Sequence, residues 1–213
     1  MDDLNAKASC RDVRRQAIIE TARDVFLKEG FAATSMSAVA ARVGGSKGTL
    51  YNYFSSKESL FNAMIHDHCE RGQAEIFDFD MEACDFATAL RTLSERYLRL
   101  MLSDRVIALN RLVVAEAVRF PEIGHTFYEA GPRRGMKRLA AYISEAADNG
   151  HLSALNAELA AEQLMDLCLT GSYRLRLLNV TPEPTDDEVH TRVDVALNAF
   201  MKLYGSARAQ TAA

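Results

Sequence analysis

Nowhere in this chain of 213 residues does an apolar run approach the roughly 18 uninterrupted residues that a membrane-spanning helix needs. The opening MDDLNAKASC carries acids and no apolar stretch, so it does not read as a signal peptide, and a soluble cytoplasmic protein is expected. Cysteine is sparse: Cys10, Cys69, Cys84 and Cys168 are scattered and form no CxxC pair, which fits reduced thiols rather than a disulfide framework. P-loop, HExxH and GxGxxG patterns are all missing. Without them no phosphate cradle, metal pair or dinucleotide turn argues for an enzyme, and no cofactor is implied. Strand-like alternation does not persist anywhere, and there are no internal repeats.

What is present is helical periodicity almost throughout, in a chain long enough to bury a core without disulfides or metals. The fold class expected is all-α. A first helix is predicted over about 11–29, with Ile18, Ala22, Val25 and Phe26 on one face and Gly30 at its carboxyl end. Thr34 or Ser35 can cap a second, Gly44-Gly45 breaks it, and Ser46 caps a third reaching roughly Phe54. Ser55 or Ser56 caps a fourth, with Glu58 near the place of a capping box. Longer helices follow over about 86–102, 105–119, 122–148 with a break at Gly131-Pro132, and 156–179. After the loop TPEP, Thr185 to Glu188 is a capping box opening a last helix to about Tyr204, and the tail GSARAQTAA is expected to fray.

Net charge is −4, an odd balance for a partner of nucleic acid, but it is uneven. Residues 1–60 hold nine basic and seven acidic side chains, a net of +2, which leaves −6 for the remainder. A basic amino-terminal footprint on an acidic body suits a protein that touches phosphate at one end. That end contains the most informative segment, Thr34 to Leu60, two short helices joined by a glycine turn. Such a helix-turn-helix lays its second helix in the DNA major groove. In GSKGTLYNYF, Leu50 and Phe54 are four apart and dock inward, leaving Lys47, Gly48, Thr49, Tyr51, Asn52 and Tyr53 around the outer side. Gly48 lets the backbone approach DNA closely. Asn52 can pair with adenine and Thr49 can read a base edge, whereas tyrosine hydroxyls, Lys47 and Lys57 suit phosphate.

The joint pattern resembles the TetR family of transcriptional regulators. The residues that carry it are Phe31, Thr34, Val39-Ala40, Gly44, Ser46, Gly48, Leu50-Tyr51, Tyr53-Phe54, Lys57-Glu58 and Leu60. The resemblance implies operator contacts from Thr34, Ser35, Lys47, Thr49, Tyr51, Asn52, Tyr53 and Lys57. It departs at Val43 and Gly45, where the family usually has alanine and valine, and at Ala38, which replaces a common acid. Gly45 removes a small apolar anchor, so a looser turn is expected. Further on, LNRLVVAEAVRFPEIGHTFYEAGP looks like the carboxyl-terminal domain of the AefR-like subgroup. That likeness implies a helical effector-binding and dimerisation domain.

The organisation expected is therefore a DNA-binding domain over 1–55 and an effector-binding and dimerisation domain over 56–213, with 56–78 as the linking helix. A dimer interface is expected from Leu164, Gly171, Leu175, Val189, Val193, Phe200 and Leu203, for which packing within one chain is the competing account. Gly171 would permit close helix approach. An effector cavity is expected among Tyr97, Met101, Leu109, Leu112, Phe127, Met136, Tyr142, Met165 and Tyr173, each of which could instead be plain core. Arg111, Glu116 and His125 could orient a ligand or sit on the surface. His66-Asp67-His68-Cys69-Glu70 has metal-ligand chemistry but not one-sided helical spacing, so no metal site is expected. The functional expectation is a ligand-responsive repressor that binds a palindromic DNA operator as a homodimer and is released by a small, hydrophobic effector. The alternative is an architectural DNA binder or activator of the same fold.

Overall fold

The computed structural model describes residues 2–81, 83–153 and 156–206, with backbone alone for 2–10. The Cys10 side chain and the expected frayed tail beyond Ser206 lie outside the described residues. Eleven helices appear among the described residues. They are α1 (Asp2–Glu29), α2 (Met36–Val43), α3 (Lys47–Tyr51), α4 (Lys57–Phe77), α5 (Phe86–Leu102), α6 (Asp104–Ala117), α7 (Pro121–Ala130), α8 (Pro132–Asp148), α9 (Ala157–Leu169), α10 (Ser172–Leu177) and α11 (Asp186–Tyr204). None of these helices is long and apolar enough to cross a membrane.

Caps set most of the boundaries. Side-chain oxygens of Ser35, Ser46, Asp85 and Asn156 accept the backbone N–H groups of Ala38, Thr49, Thr88 and Leu159. Thr185 and Glu188 close a reciprocal capping box at α11. At α4 the capping box expected through Glu58 does not form, because Ser56 accepts from Ser59 N–H and Glu58 stands one position early. The Glu58 carboxylate is instead held below its ordinary range by its own backbone N–H, then by the Ser56 hydroxyl. α1 begins earlier than periodicity suggested, and α3 ends at Tyr51 rather than Phe54.

The chain forms two compact units, residues 1–70 with 108–130, and residues 71–107 with 131–213. In the first, Ile18, Ile19, Ala22, Val25 and Phe26 of α1 meet Val39 and Ala40 of α2, Leu50 of α3, and Leu60, Phe61, Met64 and Ile65 of α4. Leu109, Leu112, Val113 and Ile123 from α6 and α7 complete this core. Packing of α8 and α11 against α9, and of α11 against α5, builds the second unit. Its cores draw on Leu90, Leu93, Ile143, Leu164 and Phe200, and on Leu98, Leu102, Val189 and Val193. Arg91–Asp194 at 2.5 Å and Arg99–Asp186 at 3.0 Å join α5 to α11 at the surface, where each pair adds at most about 1 kcal/mol.

Two expectations about this unit are corrected. The single helix predicted over 156–179 is two, because Gly171 at φ 77° turns the chain out of helical geometry between α9 and α10. A Cβ at Gly171 would meet nothing within 4 Å, so it is a break and not a close-approach site within the chain. In addition, Leu164, Val189, Val193 and Phe200 are at most 2% exposed and face their own core, leaving no surface for a partner. Among the expected interface residues, only Gly171, Leu175 and Leu203 reach the outside.

Burial also leaves a pH signature here. It pushes the Cys168 thiol up to about 12, partly offset by a hydrogen bond with Ser94, and it raises Tyr97 and Tyr173 above the ordinary phenol range. A group whose folded pKa is raised contributes stability that is complete below its unfolded pKa and lost as pH climbs through the folded value. Urea midpoints should therefore hold up to about pH 8.5 and fall above it. Cys168 alone is expected to account for about 2 kcal/mol between pH 8 and 10. A Cys168→Ala variant that keeps the full alkaline loss would remove the thiol from this account.

Candidate DNA-reading site

The site is built from α2, the turn and α3. Gly44, at φ 73°, adopts the left-handed conformation that a side chain would strain. Its N–H and that of Gly45 donate to the Ala41 and Ala40 carbonyls at 3.4 and 3.1 Å, a Schellman closure of α2. The looser turn expected from Gly45 is thus still hydrogen-bonded at both positions. The Arg14 guanidinium lies 3.7 Å from where a Gly45 Cβ would be, over the place of the missing anchor. Leu50 and Phe54, each 3% exposed, fix α3 to the core as their spacing predicted.

Outward from that anchor stand Lys47, Gly48, Thr49, Tyr51 and Asn52, all exposed. The Thr49 hydroxyl pairs with Ser46 Oγ at 2.8 Å, and the Lys47 ammonium rests 5.9 Å from the Tyr51 ring centre. Asn52, directly after α3, presents an amide with donors and acceptor at the helix edge. Ser35 is exposed, although its Oγ already accepts the Ala38 N–H. Tyr53 is half-buried, with the Arg11 guanidinium over its ring at 5.9 Å.

Two expected operator-binding residues are placed elsewhere. Thr34 is 2% exposed and its hydroxyl donates to the Gly30 carbonyl at 2.7 Å, so it staples the α1–α2 loop and presents nothing to DNA. The Lys57 ammonium turns back to the same loop, donating to Phe31 O at 2.8 Å and Ala32 O at 3.3 Å over the Phe31 ring. It therefore braces the head from inside before any phosphate contact.

Sequence reasoning missed how α6 and α7 support this head. The Glu116 carboxylate accepts the Ala32 N–H at 3.2 Å, and Phe120 packs edge-on to Phe31 at 5.0 Å. Glu116 is therefore a loop brace and not a ligand-orienting group, and Arg111 and His125 stand exposed in the same unit. Separations of more than 80 residues carry these interactions, and no local pattern announces them.

The expected effector residues divide. Leu109, Leu112 and Phe127 belong to the core of the first unit, so they cannot line a cavity within the second. Tyr97, Met136, Tyr142 and Met165 pack against the larger core of the second unit, Tyr173 joins its smaller one, and Met101 is half-buried. An open groove of about 460 Å³ in the second unit is lined by none of them. Its walls are Leu167, Cys168 and Thr170 with Asp187, Glu188, Thr191, Arg192 and Val195. In the acidic segment of α4, His68 and Cys69 are buried while His66 and Glu70 are exposed, and Asp67 accepts from Gln16 at 2.9 Å.

Comparison with known proteins bears on both units. The family described as bacterial regulatory proteins, tetR family, matches residues 18–64, and the AefR-like transcriptional repressor C-terminal domain matches residues 88–206. The HTH-type transcriptional regulator UidR of Escherichia coli (strain K12) is 26% identical over 168 residues, covering 78% of this chain and 82% of its own length. Among solved structures, the flavonoid-responsive regulator FrrA is 32% identical with a TM-score of 0.80, covering 91% of this chain and 98% of that one. A TetR-family regulator from Mesorhizobium loti MAFF303099 is 25% identical with a TM-score of 0.82, over the same shares of the two chains.

Proposed function

The chain belongs to the TetR family of bacterial regulatory proteins, and from that premise we propose a homodimeric repressor that leaves a palindromic operator when a small hydrophobic effector binds. It is a DNA-binding transcriptional regulator and not an enzyme. The observation that carries the reading is the outer face of α3, where an amide, hydroxyls and an ammonium surround a glycine on a helix fixed by Leu50 and Phe54. Base reading falls to Asn52 and Thr49, and phosphate contact to Lys47, Tyr51 and Ser35. Gly48 keeps the approach close, and Tyr53 contributes through its hydroxyl.

Dimerisation is assigned to the outer sides of α9 and α11. The open groove between them and the exposed Val195 and Leu203, 68% and 65% accessible, support that choice. A twofold dimer sets two recognition helices about 34–36 Å apart, one duplex turn. An effector of planar, apolar character is supported by the aromatic and methionine content around Tyr97, Tyr142 and Met165, and by the flavonoid response of FrrA. We keep 1–55 as the DNA-binding domain and 56–213 as the effector domain, with 56–78 as the link. Release needs an effector that favours the non-binding conformation, by about 5.5 kcal/mol to reverse a 99:1 population. Operator and effector must then weaken each other equally.

Selection of bound sequences from a random duplex pool tests the reading. Wild type should recover a palindrome. Asn52→Ala should lose about 1–3 kcal/mol of discrimination at one base pair per half-site while keeping its unspecific affinity. An unchanged base preference would remove Asn52 from the reading face. Operator binding that no flavonoid or related planar apolar compound reverses would favour an architectural binder or activator.

A further inference from the structure

α1 carries arginines at positions 11, 14 and 15, one helical turn before Ile18, Ile19 and Ala22. Positions 11, 15, 18, 19 and 22 share a face, so the stripe that packs the head continues as cationic side chains where the core ends. All three arginines are exposed. Each also lies against the reading elements: Arg11 5.9 Å from the Tyr53 ring centre, Arg15 5.2 Å from that of Phe54, and Arg14 over Gly45 in the turn. The rings and the bare glycine lie beside the guanidiniums, whose N–H donors match phosphate oxygens two at a time. Asp12 is the acid within this stretch; it is exposed at the edge of the shared face, three residues before Arg15, and leaves the three arginines in excess.

We propose that Arg11, Arg14 and Arg15 form a second DNA-binding strip beside the recognition helix, gripping duplex phosphates outside the helix-turn-helix. The inference rests on the DNA-binding reading above and extends it to residues of α1. It also gives Gly45 a purpose: a glycine there leaves room for the Arg14 guanidinium over the turn, where a Cβ would already be in van der Waals contact with it at 3.7 Å. The strip accounts for the positive balance of the amino-terminal segment, because its charges sit where the reading helix meets the duplex.

The test is the salt dependence of binding, measured by fluorescence anisotropy with the full-length protein on its selected operator and on an unrelated duplex. Every phosphate that a variant no longer neutralises lowers the slope of log K against log salt by about 0.9. Arg11→Gln and Arg14→Gln should each flatten the slope by that amount per bound copy. Affinity should fall about eightfold for each bound copy at 0.1 M salt, equally on both duplexes. Arg14→Lys, which keeps the charge, should retain most of the slope. If the slope is unchanged while the melting temperature drops, the arginines are only braces for Tyr53 and the turn, and the proposal is overturned. Loss confined to the operator would equally overturn it, since phosphate binding is blind to sequence. If wild type itself binds neither duplex at low salt, the DNA-binding reading fails and not merely the strip.

Discussion

Phe61→Ala is expected to destabilise the DNA-reading unit by about 3–5 kcal/mol and to abolish operator binding near physiological temperature. The ring is fully buried, edge-on to Phe26 at 5.0 Å and to Phe31 at 4.9 Å, and Phe31 in turn meets Phe120. Removing it deletes the transfer free energy of a phenyl group and leaves a void bounded by three helices and a loop, which cannot all collapse inward. Domains hold only about 5–15 kcal/mol in total, so much of the unit's margin disappears. The consequence for function is specific, because Phe31 belongs to the loop that Lys57, Glu116 and Thr34 hold before α2. A shifted loop moves the start of the helix-turn-helix. Thermal unfolding by circular dichroism, beside anisotropy on operator DNA, reads both effects. Phe61→Leu, which keeps most of the volume, should lose far less. A variant with alanine here that melts and binds like wild type would show that the aromatic cluster does not hold the head.

The contrast between what was legible in the sequence and what was not follows the range of the interactions. Ser35, Ser46, Gly44 and the Thr185–Glu188 box could be read because each acts within a few residues, where residue type alone selects the geometry. Leu50 and Phe54 could be read because helical spacing places them together. Thr34 and Lys57 were misread for the opposite reason. A hydroxyl and an ammonium near DNA suit phosphate by chemistry, and only the folded loop shows that Gly30, Phe31 and Ala32 offer them carbonyls first. The stripe of α11 posed a similar ambiguity. Periodicity identifies a buried face without saying whether its cover is the same chain or another, and here the chain's own α5 and α9 cover it. The effector candidates divided between two cores because apolar residues on consecutive helices carry no mark of which unit they join.

Arg176→Ala is expected to weaken the second unit by about 3 kcal/mol, the other large effect of a single substitution. Arg176 is 3% exposed, an unusual place for a guanidinium, and each of its three nitrogens has an acceptor. Nε reaches Leu102 O at 2.9 Å, Nη1 reaches Thr181 O at 3.0 Å, and Nη2 reaches Asp104 Oδ1 at 2.5 Å. These join the end of α5, the start of α6 and the loop after α10. The Asp104 side chain is 85% exposed, so losing its partner costs little, because water replaces the guanidinium. The larger loss lies at the two carbonyls, which would be left without their charged donor in a closed corner, at about 1–3 kcal/mol each. Arg176→Lys should recover only part of this, since one ammonium cannot span three acceptors fixed by a planar fork. Urea denaturation of wild type and both variants should therefore rank them Arg, then Lys, then Ala. Asp104→Asn, by contrast, should stay within about 1 kcal/mol of wild type. If the Asp104 variant instead lost as much as Arg176→Ala, the ion pair and not the carbonyl lattice would be holding the corner.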